Sequence, residues 1–207
     1  MKIKGSLITV FLLAANISAL HASVIFSLGN HPEPNEENVL FGAGPSGSLV
    51  TGITDQSHTT VNFSSTSDIL STNSNSQTLD AKGYHALIND ITITLAGGAT
   101  YHDLIIDPYL DSCNGYWPAT VTVVASDGTF TYSYPGGLDY KNNYLTITTS
   151  PGETISSTKI YAKNGFDSLH QTLISGITPA GQVPEPASIL LLAGGLLVVG
   201  SRRLRRL

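Results

Sequence analysis

Three aspartates at four-residue steps, Asp103, Asp107 and Asp111, are the densest set of hard oxygen donors in this chain. Oxygen at that density could hold Ca²⁺. The spacing does not match an EF-hand loop, and a four-residue step is not read as one strand face. Solvated loop charge is therefore the simpler expectation, and neither a metal site nor a cofactor is assigned. Aromatic rings crowd the same region. Seven of the nine tyrosines lie between Tyr101 and Tyr144, with the single tryptophan, Trp117, among them. Tyr109, Tyr116 and Trp117 sit beside Pro108, Gly115 and Pro118, which reads as a loop. Rings on a loop can stack on the apolar faces of sugars while nearby hydroxyls and carboxylates take hydrogen bonds. These three are the candidate glycan-binding residues. Phe130, Tyr132 and Tyr134 fall on one face of one strand, with Thr129, Thr131 and Ser133 on the other. Packing in the core is the simpler expectation for Phe130 and Tyr132.

No nucleophile or proton-transfer group stands out. Cys113 is the only cysteine, so no internal disulfide can form, and no histidine is close to it in sequence. His85, His102 and His170 are isolated, which leaves no zinc motif and no hydrolase triad to read. A glycosidase needs two opposed carboxylates, and nothing local marks a pair. No catalytic residue is identified. The Thr-x-Thr pairs Thr92/Thr94, Thr120/Thr122, Thr129/Thr131 and Thr146/Thr148 could make a flat hydroxyl face for ice. Threonine is also the ordinary polar residue of a solvent-facing strand.

The elements that must carry these residues are strands. Ile91, Ile93 and Leu95 alternate with Thr92 and Thr94; Val121 and Val123 with Thr120 and Thr122; Leu145 and Ile147 with Thr146 and Thr148. Period-two alternation rich in β-branched residues is the strand signature. Further strands are expected at 24–28, 39–41, 49–53, 60–63, 104–106, 130–134, 155–161 and 172–177. Turns are expected at Gly97-Gly98, Asp127-Gly128, Pro135-Gly136-Gly137, Pro151-Gly152 and Asn164-Gly165. The Pro- and Glu-rich stretch 31–38 reads as an exposed loop. The Ser/Thr/Asn tract 64–77 reads as a long flexible loop or a polar edge strand. The pattern predicts an all-β fold, a two-sheet, jelly-roll-like sandwich large enough for a real core.

Both ends lie outside that fold. Lys2 and Lys4, an apolar run over 6–15 and the small-residue site Leu20-His21-Ala22 read as a secretory signal peptide covering 1–22. The body is 23–180 and the tail 181–207. In the tail, Val183-Pro184-Glu185-Pro186 precedes an uncharged apolar run over 187–200, and then Arg202, Arg203, Arg205 and Arg206. As a helix, 14 residues would be about 21 Å long. The run has no polar face, and the arginines would hold its far end on the cytoplasmic side, so one C-terminal transmembrane helix is expected.

Signal peptide, Pro-Glu-Pro motif, apolar run and Arg-rich end together resemble the PEP-CTERM sorting signal of Gram-negative bacteria. The resemblance implies recognition by an exosortase, an integral-membrane cysteine transpeptidase that cuts near the motif. It also implies passage to the cell surface or the exopolysaccharide matrix. The prolines keep Glu185 extended and out of a helix, which suits an accessible cleavage region. The body also resembles sandwich domains carried by PEP-CTERM proteins, through Val50-Thr-Gly-Ile-Thr-Asp-Gln and Ile155-Ser-Ser-Thr-Lys-Ile. That likeness implies no particular activity.

Removing the ends leaves Lys82, Lys141, Lys159 and Lys163 against fourteen carboxylates, a formal charge of −10 for the body against −5 for the whole chain. Such a body repels nucleic acid and anionic polymers. The expectation is a non-enzymatic exported protein with a structural or adhesive role. A carbohydrate-binding module for exopolysaccharide is the alternative, and a glycan-active enzyme comes third. Expected partners are the exosortase, the membrane and possible exopolysaccharide, with no nucleic acid.

Overall fold

The computed structural model describes residues 24–42, 44–72, 76–111 and 117–181. Fourteen strands follow one another: β1 (Val24–Leu28), β2 (Glu37–Phe41), β3 (Ser46–Gly47), β4 (Leu49–Thr54), β5 (Thr60–Ser64), β6 (Leu70–Thr72), β7 (Leu79–Ala81), β8 (Ile88–Leu95), β9 (Asp103–Tyr109), β10 (Ala119–Ala125), β11 (Gly128–Ser133), β12 (Leu145–Thr149), β13 (Ile155–Phe166) and β14 (Ser168–Ser175). No α-helix occurs among the described residues, and none of their helices is long and apolar enough to cross a membrane. The signal peptide, Tyr116, the sorting motif and the expected transmembrane helix lie outside the described residues.

The strands form one hydrogen-bonded path, β1-β12-β9-β14-β2-β4-β5-β8-β13-β10-β11, with β3, β6 and β7 attached beside it. Every ladder is antiparallel. Two separate sheets were the expectation; a nearly closed, barrel-like sheet is the finding. The join is β2. Its first residues, Glu37 and Asn38, pair with β14, while Val39 to Phe41 pair with β4. At the opposite seam the terminal strands β1 and β11 approach through their side chains, with the rings of Phe26 and Tyr132 stacked at 5.3 Å.

The interior is filled by the alternate residues of these strands. Val61, Phe63, Ile91, Ile93, Val121, Val123, Leu104, Ile106, Ile147 and Ile160 are all fully buried in one cluster. Burial alternates strictly along β4 and β5, as the period-two pattern requires. Tyr101 is fully buried and donates its hydroxyl proton to Thr158 Oγ1 at 2.9 Å, so its polar end is satisfied inside the core. On β11, Phe130 and Tyr132 turn inward while Thr129, Thr131 and Ser133 are exposed, and Tyr134 beyond the strand is buried.

Several expectations are corrected. Asn164-Gly165 is not a turn. It lies inside β13, where the register shifts between Tyr161 and Phe166. Gly165 has φ +77°, and a Cβ there would stand 2.6 Å from that of Leu87, so the bulge needs glycine. The last strand starts at Ser168 rather than at 172, because Ser168 and Leu169 pair with β7 and β9 before the register shifts between Leu169 and Thr172. The tract 64–77 contains β6 and closes a hydrogen-bonded turn over Asp90.

The Pro- and Glu-rich connection after β1 is more than an exposed loop. It must cross from the outer edge at β12 to the far side of β14, and it does so over the outside of the sheet. Thr146 fixes it, accepting from His31 N at 3.1 Å and donating to Gly29 O at 2.9 Å. Thr146 is 2% exposed in consequence. Ile105, its register partner on the side away from the core, is also fully buried. One of the four threonine pairs is therefore not a solvent face.

Candidate functional site

The chain ends of the body share one pole. Val24 pairs with Thr149, Thr148 with Asp103, and Asp103 with Ser175, three residues before the bridge from Thr178 to Thr100. Three strand steps of about 4.8 Å put the start of β1 and the exit of β14 within about 15 Å of each other. The loops at the other pole connect β9 to β10, β11 to β12, and β13 to β14. Trp117, Tyr134 and Tyr140 lie on them, and Tyr109 ends β9 beside them.

Tyr109 ends β9 at that far pole. His170, in the register shift of β14, stacks on its ring with centroids 4.0 Å apart and planes 18° from parallel. Asp111 and Asp167 are coupled beside it. Asp167 Oδ2 accepts from Asp111 N at 2.7 Å, and Asp167 N donates to Tyr109 O at 3.0 Å. The Tyr109 phenol is held above its ordinary pKa by loss of water and by Asp111, Tyr140, Asp167 and Asp107 around it. Tyr140 is 52% exposed, and Lys141 Nζ stands 5.3 Å from its ring centre. An accessible ring, a cation and two carboxylates thus share the neighbourhood of Tyr109.

Asp107 anchors this pole from below. It is fully buried, and its Oδ1 accepts from Asn143 N at 2.6 Å. The Asn143 side chain donates to the carbonyls of Pro108, Asp139 and Lys141 and accepts from Asp139 N, so it shapes the loop that bears Tyr140. Burial pushes the Asp107 carboxyl up and the Asn143 bond and His170 pull it down, with burial prevailing. Asp80 is likewise raised by burial and opposed by His170, which places that imidazole near both carboxyls.

Trp117 is at the same pole but is half-buried and packs against the core. Its carbonyl accepts from Leu138 N at 2.8 Å. A Cβ at Gly137 would lie 2.6 Å from that oxygen, so glycine is required where the two loops touch. The loop reading therefore holds for its place and not for its exposure. Tyr140 and Asn143 were not singled out in the sequence, His170 was read as isolated and Asp107 as solvated loop charge; no local spacing links residues 33 to 63 positions apart.

The three aspartates do not converge on a cation. Asp103 and Asp107 do share a face of β9, contrary to expectation, because positions i and i+4 face the same way. That same step separates them by about 13 Å. Asp103 accepts from Ser175 Oγ at the pole of the chain ends, while Asp111 lies at the far pole. Among the described residues no group of three or more His, Cys, Asp or Glu could hold a metal ion.

The described body is thus an all-β, nearly closed sheet whose two ends leave side by side. The PEP-CTERM protein-sorting motif matches residues 182–206, so the chain carries that sorting signal directly after the body. The signal implies export and an exosortase as the processing partner. No curated protein and no solved structure matches the chain.

Proposed function

We propose that this is an exported, non-enzymatic protein, tethered to the inner membrane by one C-terminal helix, processed by an exosortase, and then placed at the cell surface or in the extracellular matrix in a structural or adhesive role. The sorting motif at 182–206 is the observation that carries this reading. Its body is read as a flattened barrel, close to a jelly-roll-like sandwich, that supports loops rather than enclosing a ligand. Replacing Pro184, Glu185 and Pro186 together by alanine tests it in the native host. The variant is expected to accumulate in the inner membrane while the unaltered protein moves outward. Equal outward transport of both would overturn the reading.

A second reading, carbohydrate binding, is favoured by the ring surface at the pole away from the chain ends. Tyr140 offers an open face, and Asp111 and Asp167 supply acceptors for sugar hydroxyls. Of the residues expected from sequence, Tyr109 ends β9 at this pole and Trp117 lies half-buried beside it, while Tyr116 is outside the described residues. A neutral glycan array probed with the purified body and with Tyr140→Ala tests this. Binding that falls in the variant supports it, and no binding to any neutral glycan removes it. Hydrolysis of matrix polysaccharide by the body, lost on a single carboxylate substitution, would instead favour an enzyme.

A further inference from the structure

The charges of the body are divided between its poles. Glu36 lies within electrostatic reach of Asp103 and Glu33. Glu37 accepts from Ser57 N, and Asp55 in the same turn accepts from Asn38 N. Ser126 Oγ donates to Glu153, and Asp127 follows Ser126 in the turn that joins β10 to β11. All seven carboxylates surround the pole where Val24 and Gly181 lie; the oxygens of Glu36 are buried and burial raises its carboxyl, so the exposed charge comes from the others. None of the four lysines of the body is there. Lys82 follows β7, Lys141 bridges to Leu110 and Lys163 bonds to Pro118 at or near the far pole, while Lys159 pairs with Asp90 midway along the wall. The other half of the carboxylates is thus offset by every lysine, and this half by none.

The tether is short. From Gly181 to Ala187, where the apolar run begins, six residues span at most about 22 Å. Both the N-terminal strand and the C-terminal exit must therefore sit at the membrane side for as long as the tail is embedded. Exposed charges act over about 8 Å at physiological salt, less than the tether allows. An anionic lipid surface would attract a basic face and repel this one.

We propose that the acidic pole faces the bilayer in the tethered protein, and that its carboxylates hold the body away from anionic headgroups. The opposite pole, with Tyr84, Tyr109 and Tyr140, then points outward. This rests on the reading that the tail is embedded, and the test separates the two. The full chain is reconstituted in vesicles of phosphatidylethanolamine and phosphatidylglycerol. Failure to float with them refutes the embedded tail, and with it the orientation. In floating protein, a donor dye is placed at Pro151→Cys or at Tyr84→Cys, both exposed positions, in a Cys113→Ser background with acceptor lipid. Energy transfer is expected to be stronger from position 151 than from 84; equal or reversed transfer overturns the orientation with the tail still embedded.

The stand-off is tested by Gln182→Cys, labelled with a membrane-impermeant maleimide. With the native charges, labelling is expected to be as fast on the anionic vesicles as on phosphatidylcholine. Adding Glu33→Lys and Asp127→Lys is expected to slow it several-fold on the anionic vesicles alone. Labelling that ignores these reversals in both lipids overturns the stand-off.

Discussion

Asp90 is the side chain on which most local polar structure converges. It is 2% exposed and accepts from Ser65 Oγ, from the amides of Thr66 and Ser67, and from both of their hydroxyls, with Lys159 Nζ at 3.4 Å. Burial alone would raise its pKa, but these bonds outweigh burial and lower it from 3.8 to about 2. The folded value is below the unfolded one, so the stabilisation is complete above about pH 4 and is lost as pH falls through about 2. The shift corresponds to about 2 kcal/mol. Asp90→Asn, which turns an acceptor toward several donors, is expected to cost about 2–3 kcal/mol in urea unfolding at pH 7, and the gap to the unaltered protein should narrow at pH 2. Asp107 has the opposite sign. Burial raises its carboxyl, so its charge is a burden at neutral pH, and Asp107→Asn keeps an acceptor for Asn143 N. The variant is expected to unfold at equal or higher urea at pH 7, an advantage that disappears as pH falls and the native carboxyl protonates. Neither residue could be ranked from sequence. Asp90 sits in a strand pattern like any polar position, and its donors arrive from a tract 23 to 25 residues earlier.

At the scale of elements, strands with one clean apolar face were legible and strands held by neighbours were not. β8, β10 and β5 follow from their alternating residues, because a slip of one position would turn the apolar set to solvent. β3, β6 and β7 have two or three residues each, too few for a period, and exist through pairing. The bridging role of β2 was also hidden. A Cβ at Gly52 on β4 would stand 2.5 Å from Val39 Cγ1, so close contact between these two strands depends on glycine. Gly52→Ala is expected to destabilise by about 1–3 kcal/mol, measured by thermal or urea unfolding. The outer connection gives a second test. Thr146→Val keeps the volume and removes one acceptor and one donor, leaving His31 N and Gly29 O without Thr146. Its expected cost is about 1–3 kcal/mol, with the amide of His31 exchanging faster with solvent. The hydroxyl-face reading changes at this scale too. Thr146 is covered, and Lys159 and Tyr161 on β13 separate the threonines of β8 from those of β10.

For the whole molecule, the pieces legible in the sequence were its C-terminal sorting motif and its all-β class; the arrangement of the body was not. Composition reports fourteen carboxylates and four lysines in the body, but only strand register reveals that half of those carboxylates gather where the chain enters and leaves. Tyr109, Trp117, Tyr134 and Tyr140 come together at the opposite pole for the same reason, while Tyr101 stays buried at the pole of the chain ends. Sorting is the central claim. The intact mass of the protein recovered from each cell fraction of its native host tests it most directly. A species beginning at Ser23 and ending near Pro184–Pro186, found in the outer or extracellular fraction, is the predicted result. A chain still ending at Leu207 and confined to the inner membrane would contradict processing and leave a plainly anchored β-barrel domain.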